Sequence, residues 1–330
     1  MNHNVVTFGE TMLRLSPPDH ERLEQATNLR LHIGGSEMNA AVAAARLGLN
    51  VRYVTRLTRN ALGQLVENRV REHGVDTSEI VWTDSNRIGT YYVEFGAAPR
   101  ANKVIYDRAY SAISEVRLGE INWQKILSDA QVLHTSGITP ALSSSAADVS
   151  LEAVRIAKRM GVTVSIDLNY RAWLWTEADA CKVMTELVSQ ADILITTEED
   201  TKRVFGICGE SYEDVARELA QRFDLDVVAI TLRETPSVWK NRWTAIAYER
   251  GTDEVHRAPK FEIEVVDRVG SGDSFAGGFL YGYLTADVAA GVRYGVGASA
   301  IKQTHPGDVC LATLEEVEQV LSGGSLRIAR

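Results

Sequence analysis

Short apolar runs and amphipathic segments alternate along most of the chain. Continuous apolar runs of four to eight residues are typical of buried strands, and amphipathic segments that end at a glycine are typical of helices. We predict strands at residues 5–8, 51–55, 132–135, 162–167, 193–195, 227–231 and 262–266. We predict helices at residues 36–47, 145–160 and 177–190, and two closing helices from about Asp273 and Asp287. This repetition indicates an α/β fold whose mostly parallel sheet is covered on both faces.

Two segments interrupt the alternation. Residues 11–33 contain Pro17-Pro18 and show no helical period, and residues 87–112 hold strand-like runs separated by Gly96 and Pro99. We predict that the two segments form a small β-strand lid on the α/β body, and two ordinary surface loops are the alternative. No linker rich in proline or serine divides the chain, so we expect one domain over residues 1–330.

The composition limits the classes of partner. The chain has 330 residues, of which 45% are hydrophobic and 24% charged, and its formal net charge is −9. An acidic balance argues against nucleic acid as the main partner, although backbone amides and a few arginines can still bind phosphate. No apolar run is long enough to span a membrane. Three widely spaced cysteines and the absence of a signal-peptide pattern predict a reducing, cytoplasmic location.

The segment Asp267-Arg268-Val269-Gly270-Ser271-Gly272-Asp273 joins a predicted strand to a helix start. Glycines at 270 and 272 allow a sharp turn, so the amides of residues 270–272 can point together at an anion beside the positive end of the helix dipole. Asp273 is placed to accept a proton from a substrate hydroxyl, or simply to cap the helix. Glycine is a poor helix former, so the glycines at 277, 278 and 282 predict that this helix packs closely against a neighbouring helix.

A second glycine-rich segment identifies a family. Gly34-Gly35-Ser36-Glu37-Met38-Asn39, followed by an alanine-rich run, resembles the first motif of the ribokinase-like (PfkB-type) carbohydrate kinases, and residues 267–273 resemble the second. The resemblance covers nearly the whole chain. It implies a ribokinase-like three-layer sandwich, ATP as phosphoryl donor and Mg²⁺ held mainly by nucleotide and water.

The same resemblance implies roles for individual residues. Asp273 would be the catalytic base, and Gly270, Ser271 and Gly272 would form the anion hole. The first motif would contact the sugar hydroxyls through Gly34, Gly35 and Asn39. The nucleotide would be bound by Thr231, Asp267 and Gly272. The family's usual Gly-x-x-Gly turn after this threonine is absent here, and Arg233 is predicted to bind the nucleotide from its position alone.

Two arginines bear on the substrate. Arg171 follows the strand at 162–167, and Arg108 lies in the predicted lid. A planar guanidinium pairs with a carboxylate through two hydrogen bonds, so two arginines favour a sugar acid over a neutral sugar. The alternative is that they pair with structural carboxylates such as Asp107 and Asp167. Within the family, the chain resembles the 2-keto-3-deoxygluconate kinases in Asp167-x-Asn169-x-Arg171, Tyr106-Asp107-Arg108 and the segment 302–308. This resemblance implies that the sugar acid is bound by Tyr91, Arg108, Asn169 and Arg171.

The metal side departs from the family pattern. Where the family usually has Asn-x-x-Glu after a strand, this chain has Thr197-Glu198-Glu199-Asp200. Acidic side chains are favoured at the start of a helix, so this placement alone does not define a metal site. We predict Asp200 and Glu199 as the residues nearest the metal.

These observations predict a sugar-acid kinase that uses ATP and Mg²⁺. A neutral-sugar kinase of the same family, similar to a fructokinase, and a sugar- or nucleotide-binding regulator without catalysis are the alternatives. A dehydrogenase is disfavoured because no Gly-x-Gly-x-x-Gly follows the first strand. Lid strands have edges that pair readily with another copy, so we also expect a homo-oligomer formed through the lid.

Overall fold

The structure, a computed structural model, describes residues 3–324. Over these residues the strands are β1 (His3–Phe8), β2 (Met12–Ser16), β3 (Arg30–Gly34), β4 (Val51–Val54), β5 (Arg56–Thr58), β6 (Val81–Thr83), β7 (Thr90–Glu94), β8 (Lys103–Asp107), β9 (Ala130–Ser136), β10 (Thr163–Asp167), β11 (Ile193–Thr196), β12 (Val227–Ser237), β13 (Lys240–Glu249), β14 (Glu254–Arg257) and β15 (Phe261–Glu264). The α-helices are α1 (Ser36–Arg46), α2 (Ala61–Arg71), α3 (Trp123–Ile126), α4 (Ser144–Arg159), α5 (Glu177–Val188), α6 (Glu198–Phe205), α7 (Tyr212–Phe223), α8 (Ser271–Thr285), α9 (Val288–Lys302) and α10 (Leu314–Leu321). Single-turn 3₁₀ helices occur at Ile113–Glu115 and Thr139–Ala141.

Among residues 3–324 the central sheet has nine strands. Eight of them lie in the order β14-β13-β12-β11-β10-β9-β1-β4, and β15 pairs with β13 outside this path. The six strands from β12 to β4 are parallel to their neighbours, and β13, β14 and β15 add antiparallel pairs at one side. Helices α4 and α5 connect consecutive parallel strands, as the predicted strand–helix repetition requires. The predicted mostly parallel sheet is confirmed.

Helices cover both faces of this sheet. Helices α1, α8 and α9 pack on one face, and helices α4 to α7 pack on the other. Each face has its own apolar core, built from the inward side chains of the strands and the apolar stripes of the helices. This confirms the three-layer sandwich.

The glycines of α8 allow its close packing. A Cβ at Gly277 would lie 2.5 Å from the carbonyl oxygen of Ala40 on α1. At Gly282 it would lie 2.5 Å from the carbonyl oxygen of Ala290 on α9, and Gly278 also faces α9. The prediction that this helix approaches its neighbours very closely is confirmed, and it explains why poor helix formers are tolerated here.

The lid is a separate four-stranded sheet with the order β3-β2-β7-β8. Its outer pairs, β2 with β3 and β7 with β8, are antiparallel, whereas β2 and β7 run parallel. The strands come from the two segments that interrupted the helical and strand alternation, so the predicted β lid is confirmed. It joins the body through Gly34, which ends β3 immediately before α1.

Several elements differ from the predictions. The strand predicted at 227–231 continues to Ser237, because beyond Thr231 it still pairs with β13. This extension was not predicted, because its exposed polar side chains do not show the period of a strand. Helix α10 follows the two helices that we expected to close the chain. Its signal is a capping box between Thr313 and Glu316. Helices α2 and α7 and the small parallel pair of β5 and β6 were not predicted.

Candidate active site

A cavity of about 660 Å³ opens at the carboxyl ends of the parallel strands, and lid residues form part of its wall. Ligands of open α/β sheets bind at this edge, and the volume is ordinary for a small-molecule site. The cavity brings together nearly every residue that the sequence singled out. The predicted residues that line it are Gly34, Gly35, Asn39, Tyr91, Arg108, Asn169, Arg171, Glu199, Asp200, Thr231, Arg233, Gly270, Ser271, Gly272 and Asp273.

Asp273 is held by residues of the other motif. One carboxylate oxygen accepts a hydrogen bond from Ser36 Oγ at 2.7 Å, and the other accepts one from Asn39 Nδ2 at 2.7 Å. Helix α8 starts after Gly270 without any side-chain cap, so Asp273 is not the helix cap that the alternative proposed. The two glycine-rich segments therefore meet at one carboxylate.

A further hydrogen bond extends this arrangement to the end of β10. Asn169 Nδ2 donates to Ser36 Oγ at 2.9 Å, and Ser36 in turn donates to Asp273. Asn169 has a φ of 37°, a left-handed conformation that asparagine adopts more readily than most residues. Burial raises the pKa of Asp273, and the hydrogen bonds from Asn39 and Ser36 oppose that rise. Asp273 is thus oriented at the cavity wall with its proton affinity increased.

The turn before α8 fits an anion-binding role. Gly270 has a φ of 85°, and a Cβ there would lie 2.0 Å from the carbonyl oxygen of Asp308. Gly272 borders the cavity, with nothing within 4 Å of the place its Cβ would occupy. The Ser271 amide donates to the Arg268 carbonyl at 3.2 Å, so this member of the predicted anion hole is already engaged. Gly272 and the N-terminus of the 15-residue helix α8 face the cavity, and a helix N-terminus favours anions.

Three arginines in the cavity lack an acidic partner. In the part of the chain that the structure describes, no carboxylate oxygen lies within 4.0 Å of the guanidinium of Arg171, Arg233 or Arg268. Desolvation at the cavity wall lowers the pKa of Arg233, although part of its side chain is exposed, and the positive charges of Arg268 and Arg171 lower this pKa further. Mutually repelling cations at a cavity wall suit an anionic ligand. Arg268 was not predicted as a site residue, although it lies within the second motif, because the prediction relied on the glycines and the aspartate of that motif.

Arg108 and Tyr91 line the lid side of the cavity but have partners of their own. Arg108 is 9% exposed, and its Nε donates to Glu10 at 2.8 Å. Its predicted alternative partner, Asp107, instead pairs with Arg87. The Tyr91 ring stacks on Tyr106, and its hydroxyl donates to the carboxylate of Asp308. Nothing in the sequence pointed to Glu10, which lies 98 residues from Arg108.

The acidic side of the cavity contains Asp167 and Asp200 near Asp273. Burial raises the pKa of Asp167 well above its usual range, and the charges of Asp273 and Asp200 raise it further. Burial also raises the pKa of Asp200. Glu199, by contrast, pairs with Arg203 at 2.7 Å. Over residues 3–324 no group of three or more acidic, histidine or cysteine side chains could enclose a metal.

Clustered carboxylates with raised pKa values nevertheless fit partial ligation of a hard cation. Mg²⁺ keeps several waters and is commonly bound by one or two carboxylates together with phosphate oxygens. Asp200 and Asp167 could supply those carboxylates. Asp167 was not predicted as a site residue, although it ends a strand two residues before Asn169.

Asp267 needs a correction. It was predicted to bind nucleotide, but its side chain is 1% exposed and does not line the cavity. One carboxylate oxygen accepts from Arg14 Nη2 at 2.6 Å, and the other accepts from the amide of Val269 at 3.0 Å. With its carboxylate buried and bonded, Asp267 is placed to support the turn rather than to contact a ligand.

The cavity therefore combines a carboxylate, a glycine turn at a helix start and arginines without a carboxylate partner among the described residues, a set of groups that suits phosphoryl transfer to a hydroxyl. The pfkB family carbohydrate kinase model matches residues 2–313. The chain belongs to the PfkB family of carbohydrate kinases.

Individual relatives are similar over their whole length. The chain is 40% identical to a 2-dehydro-3-deoxygalactonokinase of Haloferax volcanii, with 100% of each chain covered. A crystal structure of 2-dehydro-3-deoxygluconokinase from Thermotoga maritima superposes with a TM-score of 0.94 at 43% identity, covering 98% of this chain and 99% of that one. A 5-dehydro-2-deoxygluconokinase of Bacillus licheniformis is 28% identical over 98% of this chain and 97% of its own. No helix among residues 3–324 has the length and apolar character needed to cross a membrane.

Proposed function

We propose that this kinase phosphorylates 2-keto-3-deoxygluconate to its 6-phosphate, using ATP and Mg²⁺, with Asp273 as general base. The observation that carries the proposal is Arg171, a cavity arginine with no carboxylate partner within 4.0 Å among the described residues. Such a guanidinium suits the carboxylate of a sugar acid. The names of the relatives at 40% and 43% identity support the same substrate class.

Each of the cavity residues has a role in the proposed phosphoryl transfer. Ser36 and Asn39 orient Asp273, which accepts the proton of the attacking hydroxyl. The start of helix α8 at Gly272 stabilises the negative charge of the phosphoryl group in the transition state of transfer. Bound Mg²⁺ would supply charge neutralisation at the phosphates, with Asp200 and Asp167 as its protein ligands. ATP as a co-substrate is consistent with the cytoplasmic location expected from the three cysteines.

Asp273→Asn tests the catalytic role. Loss of a general base costs roughly 10²- to 10⁴-fold in rate, whereas the neutral side chain can still occupy the site and leave ATP affinity nearly unchanged. The measurements are ADP release and ATP affinity by calorimetry. Retention of wild-type turnover would remove Asp273 from the mechanism. If the wild-type chain binds sugar and nucleotide but never turns over, the alternative of a non-catalytic regulator is correct.

Arg171→Met separates a sugar acid from a neutral sugar. A charged hydrogen bond contributes about 1.5–3 kcal/mol, so loss of the guanidinium should raise KM for the sugar acid roughly 10- to 150-fold. Fructose kinetics should change little. Arg155→Met is the matched control, because Arg155 forms a surface pair with Glu186. An equal effect of Arg171→Met on both substrates would favour the fructokinase-like alternative.

We further propose that two copies associate through the lid. Strand β8 is an edge strand of the lid sheet, and Val104, Ile105 and Tyr106 on it are 44%, 53% and 42% exposed. An exposed apolar edge strand is suited to pairing with a second copy. Sedimentation at micromolar concentration should give a dimer that Ile105→Lys dissociates. A 36.3 kDa monomer for the wild-type chain would contradict this association.

A further inference from the structure

Four buried charged side chains form a cluster behind the anion-hole turn. Arg14, Asp267, Asp308 and Lys302 are 1%, 1%, 2% and 0% exposed. Two are cations and two are anions, so the cluster can be neutral as a whole. Of the four, only Asp308 also borders the cavity. The cluster thus lies outside the groups that we assign to chemistry and binding.

Arg14 links the lid to two loops of the body. It lies on β2, and its Nη2 pairs with Asp267 Oδ2 at 2.6 Å while its Nη1 pairs with Asp308 Oδ1 at 2.6 Å. The two carboxylates are 41 positions apart in the chain, in the loop before α8 and the loop after α9. One guanidinium therefore fixes a lid strand to both loops. Tyr91, on the neighbouring lid strand, adds a hydrogen bond to Asp308.

Lys302 holds the main chain of the same turn. Its ammonium donates to the carbonyl oxygen of Asp267 at 2.8 Å, three residues before Gly270. The Asp267 carboxylate also accepts from the amides of Val269 at 3.0 Å and Gly307 at 3.1 Å. The turn is therefore held at its carbonyl by a cation and at its side chain by the loop that carries Asp308.

The position of Gly270 depends on this loop. Its α-carbon packs so closely on the Asp308 carbonyl oxygen that a Cβ would lie 2.0 Å from it. Any shift of the loop at Asp308 would therefore displace the turn that forms the anion hole. Misplacement of a catalytic group by about 1 Å can cost about 100-fold in rate. Buried ion pairs contribute little net stability against apolar replacements, so stability alone does not account for such a cluster.

We propose that Arg14 and Lys302 are positioning residues that set the geometry of the anion hole, and that Arg14 couples this geometry to the lid. The inference rests on the proposed phosphoryl transfer. Neither residue lines the cavity. Their effect should therefore appear in stabilisation of the transferring phosphoryl group and not in affinity for ATP.

Arg14→Lys and Lys302→Met test the proposal in the full-length chain. Arg14→Lys keeps the charge but replaces the two-nitrogen bridge with a single amine, and Lys302→Met keeps the length of the side chain but removes the donor. We expect kcat to fall at least about 10-fold, with KM for ATP within about twofold of wild type. Arg100→Lys is the matched control, because Arg100 is a lid arginine that pairs with Glu94 at 2.5 Å, away from the turn.

A second readout distinguishes positioning from a loss of folded protein. Affinity for ADP–aluminium fluoride, measured with Mg²⁺ and the sugar acid, should fall together with kcat, while affinity for ATP stays unchanged. An unfolded fraction would lower the apparent kcat without changing either dissociation constant. Asp308→Asn, which keeps the side-chain shape, serves if Lys302→Met does not fold, and the same pattern is expected from it.

The outcomes are separable. Folded Arg14→Lys and Lys302→Met variants, or Asp308→Asn in place of an unfolded Lys302→Met, that keep wild-type kcat and wild-type affinity for ADP–aluminium fluoride would overturn the positioning role. Equal losses in Arg100→Lys would overturn it as well, since the effect would then belong to the lid in general. A wild-type chain without sugar-dependent ADP release would refute the proposed function, which is a different result.

Discussion

Glu37 provides a quantitative test of the structure behind the first motif. Its side chain is fully buried, and one carboxylate oxygen accepts hydrogen bonds from the amide and hydroxyl of Ser136 and from the Thr139 hydroxyl. Among the described residues, the other oxygen has no hydrogen-bond partner. Burial raises the pKa of Glu37 from 4.5 to about 7. Between about pH 4.5 and about pH 7, Glu37 therefore keeps its proton in the folded protein and loses it in the unfolded chain.

The sign of the pH effect follows from this difference. Below the unfolded pKa of 4.5 both states are protonated, and Glu37 costs no stability. As pH rises through about 7 the unfolded chain is ionised first, so the free energy of unfolding falls. A shift of one pKa unit corresponds to about 1.4 kcal/mol, so the full shift is worth about 3.5 kcal/mol. About 2.5 kcal/mol of this falls between about pH 5 and about pH 8, and wild type should lose that amount over this range.

Glu37→Gln should remove that loss, because glutamine does not titrate and its carbonyl oxygen can accept the same hydrogen bonds. The assay is urea unfolding followed by circular dichroism at several pH values. Glu218→Gln is the control, since Glu218 is exposed on α7 and should change stability by less than about 0.5 kcal/mol at every pH. If Glu37→Gln and wild type lose stability in parallel as pH rises, Glu37 is ionised in the folded protein and the reasoning fails.

The proposed anion-hole turn and the proposed base, Asp273, give further predictions. Gly272→Ala should keep or slightly raise the melting temperature, because alanine favours helices, yet lower kcat at least about 10-fold by placing a methyl group in the cavity. Gly270→Ala should lower both, since its φ of 85° and the contact with Asp308 leave no room, and a stable, active Gly270→Ala would contradict this turn geometry. Burial raises the pKa of Asp273, and a general base must be ionised, so kcat/KM should fall as the pH decreases. The apparent pKa of this fall should exceed 3.8, the ordinary value of an aspartate. A kcat/KM that stays constant down to pH 3.8 would argue against an ionised Asp273 as base.

Local sequence patterns were enough to single out residues that the structure brings together in the cavity. Asp273 was identified from a strand, a glycine turn and a helix start, and its neighbour Asn39 from a second glycine-rich segment. The two residues are 234 positions apart in the chain, and before the structure only the family resemblance indicated that they lie close together. The alternation of strands and helices likewise sufficed for the parallel sheet, because buried parallel strands are continuous apolar runs.

Long-range pairing of charges could not be predicted in this way. Asp267 lies in the second motif, but its partner Arg14 is 253 positions away, so the sequence does not show that its carboxylate is occupied. Arg108 and Glu10 are a similar case across 98 positions. Each charge is visible alone, and which charges neutralise each other depends on how the lid and body meet.

The β12–β13 hairpin was hidden for a related reason. Strand β12 beyond Thr231 is exposed and contains Pro236, which is unfavourable inside a sheet. It is a strand because β13 pairs with it, and the register shifts near Ser237 accommodate the irregular end. Arg233 reaches the cavity from this extension.

Substrate preference tests the account most directly. With ATP and Mg²⁺, ADP release should be measured on 2-keto-3-deoxygluconate, its galactonate epimer, fructose and ribose, and the product identified by mass and position of the phosphate. We predict that a 2-keto-3-deoxy sugar acid has the highest kcat/KM, with phosphate at the 6-hydroxyl. A higher kcat/KM for fructose or ribose than for either sugar acid would contradict it.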